Sequence, residues 1–229
     1  MERLSVLDVA NTIVDRLRPG ESEAAARVLA QSFAGEPLFA HLFEGCDERL
    51  VARAVVPWFK AWIDAYAGCG HVHTARSAGK LVGVGIRVPP GGHQLGGLRK
   101  LAFAAQRLAS VARMALTSPR ALNLLMIGSA VERREPKAPF WLLAWVGVLP
   151  EHQRRGVGGA LADEAVRVIE EWPAPGWLVT FGAHTRAIYE KRGFVVEAEL
   201  EPLTAGPVGW TMRRDREGTA VSKEADERE

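Results

Sequence analysis

Two stretches of this 229-residue chain hold residue types whose order and spacing could do chemistry. In the first, the apolar run FWLLAWVGVL (residues 140–149) ends at Pro150. Gln153-Arg154-Arg155-Gly156-Val157-Gly158-Gly159 then opens an amphipathic segment. A strand that delivers a glycine-rich turn to a helix start aims several backbone N–H groups and the positive end of the helix dipole at one place, which suits a pyrophosphate. Glycine permits close approach of a phosphate to the backbone, and Arg154 and Arg155 add charge. Taken alone, such a turn serves close packing equally well. No Lys-Ser/Thr follows the glycines and the three-glycine dinucleotide spacing is missing, so neither a Walker loop nor a Rossmann fingerprint is present.

The second stretch, Ala187-Ile188-Tyr189-Glu190-Lys191-Arg192-Gly193-Phe194, lies thirty residues later. Together the two resemble the GNAT superfamily of N-acetyltransferases, whose cofactor motif Gln/Arg-x-x-Gly-x-Gly/Ala is matched by Gln153, Gly156 and Gly158. The superfamily's Tyr-x-x-x-Gly-Phe element is matched at Tyr189, Gly193 and Phe194. Within it, Glu135-Pro136, residues 140–158 and the Gly206-Pro207…Trp210-Thr211-Met212 ending are similar to the puromycin N-acetyltransferase group. The resemblance covers about residues 135–214.

The resemblance implies that acetyl-CoA is the acyl donor. Val146, Gly147 and Val148 would run beside its pantetheine arm like an added strand, and residues 153–159 would hold its pyrophosphate. Thr185 stands where relatives commonly carry Asn and would bond a cofactor amide or phosphate; Val179 replaces an acidic residue common on the preceding strand. Tyr189 falls at the general-acid position. A phenol with a reference pKa near ~10 keeps its proton at neutral pH while a thiolate leaving group has a reference pKa near ~8.5, and proton transfer from Tyr189 to sulfur is expected to be downhill. No general base is evident, although His184, His73, Glu132 and Glu36 are candidates. The implied acceptor is a primary amine of a small molecule, such as an aminonucleoside or another amino-bearing antibiotic, attacking directly in a ternary complex. A protein acetyltransferase and a catalytically silent CoA-binding module are the alternatives.

The elements that must position these residues follow from periodicity. Residues 12–18 and 177–181 read as short strands, residues 22–33 as a helix, and Asp47 as the cap of a second helix that Pro57 should kink or divide. Residues 71–77 and 81–88, around Ala78-Gly79-Lys80, have the pattern of an antiparallel hairpin. A helical insertion is expected over about residues 89–134, with Leu98, Leu101, Ala105, Leu108, Ala112 and Leu116 on one face of its first helix and Ser118-Pro119 opening the next. The run 140–149 reads as a central strand covered on both faces, residues 156–172 as an amphipathic helix and residues 185–191 as a short helix. Residues 194–200 and 208–213 read as closing strands. The expected fold is therefore α/β: the GNAT-type mixed, mainly antiparallel sheet with splayed middle strands, flanking helices and an insertion before the fourth strand. One domain over residues 1–214 and a disordered polar tail over 215–229 complete the expectation.

Composition narrows the class. The 29 basic and 27 acidic residues are scattered, which speaks against nucleic acid as a partner. Cys46 and Cys69 are too few for a disulfide framework and lie in neither motif, so an acyl-cysteine intermediate is not expected. No metal is expected. With no signal-peptide pattern and no uncharged apolar run near ~20 residues, a cytoplasmic monomer or homodimer without a membrane partner is expected.

Overall fold

Seven strands and seven α-helices occur among the described residues, 12–91, 95–203 and 205–215, of a computed structural model. Strands β1 (Thr12–Arg16), β2 (Val72–Ser77), β3 (Lys80–Val88) and β4 (Trp141–Val148) pair antiparallel in that order. β5 (Gly176–Thr180) lies parallel to β4, and β7 (Gly209–Arg214) separates it from β6 (Val195–Leu200). The β2–β3 turn uses Ala78 at φ 48° and Gly79 at φ 76°, the pair of left-handed residues that matches strand twist in a two-residue hairpin.

The sheet opens at its centre. β4 and β5 are in register only at Trp141–Gly176 and Leu142–Trp177. Beyond that point β4 keeps only its β3 partner. On that side Arg87 pairs with Leu143 and Ile86 with Trp145, so Ala144 is an extra, bulged residue. A bulge bends its strand and sharpens the twist, which turns the far half of β4 away from β5. The splayed middle strands expected from sequence are present.

One face is covered by α1 (Ser22–Phe33), α2 (Pro37–Leu42) and α3 (Glu48–Tyr66). At Gly147 a Cβ would lie 2.9 Å from both Leu29 Cδ2 and Ser32 Cβ, so only glycine lets α1 sit this close to β4. Asp47 caps α3, accepting from the Arg49 and Leu50 N–H groups at 2.9 and 3.2 Å. Pro57 does not divide the helix. The carbonyl it leaves without a partner belongs to exposed Arg53, where water can bond it, while Val55, Trp58 and Phe59 keep the opposite face in the core.

The opposite face carries α6 (Val157–Glu171), whose Val157, Ala160 and Leu161 pack with Val14, Ala75, Val82 and Val148. Below them Glu164 enters the protein. Its Oε1 lies 2.9 Å from Arg167 Nη2 and 3.4 Å from His73 Nε2. Arg87 donates to the Glu164 carbonyl at 3.2 Å and to His73 Nε2 at 3.1 Å. A guanidinium can only donate, so His73 accepts and is neutral; burial, then Arg87 and Arg16, draw its pKa down to about 3.

Between β3 and β4 lies the helical insertion: α4 (Gly97–Ala115), a 3₁₀ turn (Pro119–Leu122) and α5 (Asn123–Glu132). Two expectations fail here. Ser118 caps nothing; its hydroxyl donates to the Leu42 carbonyl at 2.6 Å and ties the insertion to α2. α4 also turns the other way: Phe103, Ser110, Val111 and Met114 are buried and the leucine face is exposed. Phe103 wins because its ring meets Trp62 and Tyr66 edge-on, at 5.1 and 5.9 Å. The short α2 has no counterpart in the sequence reading, α7 (Ala183–Glu190) begins two residues early, and the expected tail beyond Asp215 lies outside the described residues.

The Glu164 cluster holds α6 against β2 and β3, and Arg87 is buried with it. Replacing Glu164 by Ala leaves buried Arg87 uncompensated and should cost about 3–5 kcal/mol in urea unfolding. Glu171→Ala, which removes an exposed partner of the same Arg167, should cost less than about 1 kcal/mol. Equal small losses would show that the cluster does not anchor α6.

Candidate active site

A cavity of about 220 Å³ occupies the gap between the parting strands. Leu142, Leu143, Ala144, Trp145 and Val146 of β4 form one wall, and Leu178, Val179, Thr180 and Phe181 of β5 and its exit form the facing one. The apolar floor comes from Phe33, Phe39, Trp58 and Trp62, whose rings cluster about Trp145 at centroid distances of 5.2 to 6.4 Å. The insertion closes the remaining side: Arg107 of α4 and Leu124, Ile127, Gly128, Val131 and Glu132 of α5 all reach the cavity. Arg107 lies over Trp58, Trp62 and Phe103 at 5.1, 5.2 and 5.5 Å, a cation shared by three ring faces.

At the far end of β4 the backbone already has polar partners on its open side. The Val148 N–H donates to Ser32 Oγ at 3.0 Å, and the Val148 carbonyl accepts from Gln153 Nε2 at 3.0 Å. Strand alternation gives Val146 the same outward side. Gly147, between them, is explained by the approach of α1. Ser32 was not singled out in the sequence, because nothing local to it shows that α1 crosses β4 there.

The glycine turn has the geometry of an anion cradle. Arg154 at φ 59° and Gly156 at φ 84° are both left-handed, and Gly156 is the residue at which α6 begins. The first intrahelical bond runs from Ala160 N–H to the Gly156 carbonyl, so the N–H groups of Val157, Gly158 and Gly159 have no helical acceptor. Gly156 at the N-cap has no side chain with which to cap them. Arg154 and Arg155 are exposed beside this end and enter no ion pair among the described residues. Gly159 has a different role: Arg192 donates to its carbonyl at 3.0 Å and to Asp163 at 2.6 Å, which fixes the turn after α7 against α6.

Tyr189 is 5% exposed, lines the cavity from α7 and meets Phe194 edge-on at 5.3 Å. Burial raises its pKa above the ordinary phenol value, with Arg192 opposing, so the group stays protonated throughout the working range. The downhill proton transfer expected from the sequence runs the wrong way. On reference values, moving a proton from phenol to thiolate is uphill by about 1.5 units, and burial of the phenol alone widens the gap. A thiolate formed in the same desolvated space would be raised too, so a phenol placed here is suited to donating a hydrogen bond to such a sulfur as charge develops. Thr185, one turn before Tyr189, also lines the cavity.

Of the four candidate bases, Glu36 and Glu132 reach the cavity. His184 is exposed and outside its lining, and His73 belongs to the Glu164 cluster on the opposite face of the sheet. Glu36 precedes α2. A Cβ built on Gly182 would lie 3.1 Å from Glu36 Oε2 and 3.3 Å from Thr185 Oγ1, so the missing side chain lets the two groups converge. Burial raises the Glu36 pKa, with His184 pulling the other way. Glu135 joins this wall, its pKa raised by burial and then by Glu132.

Gly158 offers the cleaner test of the anion cradle, because any side chain at Gly156 is strained by its positive φ. A Cβ on Gly158 makes only an ordinary 3.7 Å contact with Val148. Gly158→Glu should therefore fold yet bind acetyl-CoA at least roughly 30-fold more weakly, about 2 kcal/mol, whereas Gly158→Ala should lose far less. Equal affinities for the two variants in calorimetric titration would remove the cradle.

Residues 124–196 match the family profile described as Acetyltransferase (GNAT) domain. The whole fold is shared with solved structures of low sequence identity. A Corynebacterium glutamicum protein described as histone acetyltransferase HPA2 and related acetyltransferase superposes with TM-score 0.63 and 20% identity, covering 90% of this chain and 97% of the other. The Drosophila melanogaster polyamine N-acetyltransferase gives 0.58 and 14%, covering 89% and 99%. A mosquito arylalkylamine N-acetyltransferase like 5b gives 0.53 and 15%, with the same coverage. The matched segment runs from α5 through β4, the glycine turn, α6, β5 and α7 into β6, so the two parting strands, the anion cradle and Tyr189 all lie within the part of the chain that is similar to that profile.

Proposed function

We propose that this chain transfers the acetyl group of acetyl-CoA to the primary amine of a small molecule, by direct attack within a ternary complex. The observation that carries this reading is the one cavity whose lining includes Tyr189, the free half of β4 and Glu36. In this scheme the pyrophosphate rests on the N–H groups at the start of α6, near Arg154 and Arg155. The pantetheine arm runs along Val146 to Val148, with Gln153 and Ser32 exchanging their backbone contacts for the cofactor's amides. Thr185 then faces the cofactor from α7. The acetyl group arrives in the parted strands, where Glu36 takes a proton from the acceptor's ammonium so that the neutral amine attacks the thioester carbonyl; as the tetrahedral intermediate collapses the C–S bond breaks and Tyr189 donates to the departing sulfur. Neither thiol competes as a nucleophile: Cys46 is half-buried against the Thr117 carbonyl, and Cys69 is exposed outside the cavity lining.

The walls also describe the acceptor. Seven aromatic side chains suit a flat, apolar body, and Glu36, Glu132 and Glu135 favour a cationic amine, a combination met by aminonucleosides and related amino-bearing antibiotics of the kind the puromycin N-acetyltransferase group modifies. Closure of the cavity by α4 and α5 favours such a molecule over a polypeptide, which needs an open groove. The insertion then governs acceptor choice.

The test is CoA release from a panel of amines, aminonucleosides first, followed by pH–rate profiles of Tyr189→Phe and Glu36→Gln with the best acceptor. With chemistry rate-limiting, Tyr189→Phe should lower kcat by roughly 10²- to 10⁴-fold and leave acetyl-CoA affinity nearly unchanged. Glu36 acts only when ionised, and its pKa is raised, so the wild-type rate should climb with pH through that value and Glu36→Gln should lack this limb. No turnover of any amine despite acetyl-CoA binding would reject the catalytic reading. A Tyr189→Phe loss below about threefold would return the phenol to a packing role, and a retained acidic limb in Glu36→Gln would exclude that carboxylate as the base.

A further inference from the structure

Arg107 has no part in the chemistry proposed above. Among the described residues it is the one cation in the cavity lining, where Glu36, Glu132 and Glu135 are the carboxylates. Ring faces lie against it, but no carboxylate does: it enters no ion pair among the described residues, and its Nε is buried without a hydrogen-bond partner. Burial draws its pKa below the ordinary guanidinium value, with Glu132 opposing. Glu132 is exposed and stands beyond ion-pair distance, so water screens what it offers.

The floor beneath Arg107 has the same imbalance. Trp58, Trp62 and Trp145 all line the cavity, and each has an indole N–H that is buried without an acceptor. Indole and guanidinium groups donate and cannot accept. Buried polar groups without partners are costly, so donors gathered in this way call for a partner that the protein does not supply. Water would accept a bond or two and bring no charge to offset the cation. A neutral carbonyl has the same shortcoming. A carboxylate answers both needs, and its two oxygens match the planar fork of a guanidinium. A phosphate dianion would bring a second negative charge toward Glu132 with no second cation to meet it.

We infer that Arg107 binds a carboxylate of the acceptor, so that the amine acetylated here belongs to a zwitterion with an apolar body. Glu36 stands beside Gly182 and Thr185, where β5 leads into α7, while Arg107 comes from α4 over Trp58 and Trp62 of α3. Amine and carboxylate would therefore be held by different elements of one lining. The inference rests on the amine-transfer reading and narrows it, because a neutral aminonucleoside would leave Arg107 unpaired. Arg107 selects the acceptor and takes no part in making or breaking bonds.

The test compares aromatic amines that differ only in carboxylate against carboxamide: phenylalanine with phenylalaninamide, and 4-(aminomethyl)phenylacetate with its amide. CoA release gives kcat and KM for each, and comparing the ratio within a pair between wild type and variant cancels any difference in amine basicity. In at least one pair the wild-type KM for the carboxylate should be about 30-fold below that for the amide. Arg107→Met, which keeps an unbranched chain over the rings, should raise the carboxylate's KM by about 30-fold and leave the amide's within about threefold. Arg107→Lys should restore part of the difference. Equal KM values within every wild-type pair would overturn the inference, whether or not the methionine variant folds. So would a folded Arg107→Met that weakens both members alike, since Arg107 would then serve packing alone. If no amine is acetylated, the transfer reading fails by itself, and calorimetry of the same pairs with CoA-loaded wild type decides the Arg107 site: about 30-fold tighter binding of a carboxylate supports it, and equal or absent binding overturns it.

Discussion

Everything functional in this molecule depends on two neighbouring strands that begin paired and then part. β4 and β5 share register at two positions and then separate, leaving strand backbone that the sheet does not satisfy. Buried N–H and C=O groups without partners are costly, so such an opening persists only where something answers them. Here Ser32 and Gln153 hold the Val148 groups, and the gap itself is walled by aromatic rings from α1, α2 and α3. The bulge at Ala144 and the missing side chain at Gly147 set the same geometry from the other edge, by bending β4 and by letting α1 come close enough for Ser32 to reach.

That opening also organises electrostatics. The start of α6 stands at one end with unbonded N–H groups and two exposed arginines, and the Glu164 cluster fixes the helix beneath it. At the other end the cavity collects a buried phenol and carboxylates whose pKa values burial pushes upward. The free N–H groups and the carboxylates are thus separated along one strand, and in the proposed function a molecule with a diphosphate at one end and a thioester at the other would span them. The insertion covers the amine end, which gives a plain physical reason for its presence between β3 and β4.

The sequence made legible whatever depends on local spacing. The apolar run, the glycine turn and the amphipathic helix follow one another without interruption, so β4, the turn and α6 could be read directly, and Tyr189 followed from its distance to Gly193. The β2–β3 hairpin was equally plain, because its turn residues are its own signal. What failed depended on distant partners. α4 has two stripes of similar apolarity, and the choice between them rests on Trp62 and Tyr66, far away in sequence. Ser118 looked like a cap because the Leu42 carbonyl it bonds is 76 residues earlier. Pro57 looked like a break because the exposure of Arg53 cannot be seen in the chain. Glu36 stood among four candidate bases until the fold brought it beside Gly182 and Thr185.

The central claim, that the parted strand and the helix start together receive acetyl-CoA, is tested most directly by hydrogen–deuterium exchange of the full chain with and without that ligand. Binding should slow exchange at residues 145–149 and 154–159 together, with little change in β1 or at the exposed face of α4. Protection confined to other segments, with these two unchanged while acetyl-CoA is demonstrably bound, would contradict it.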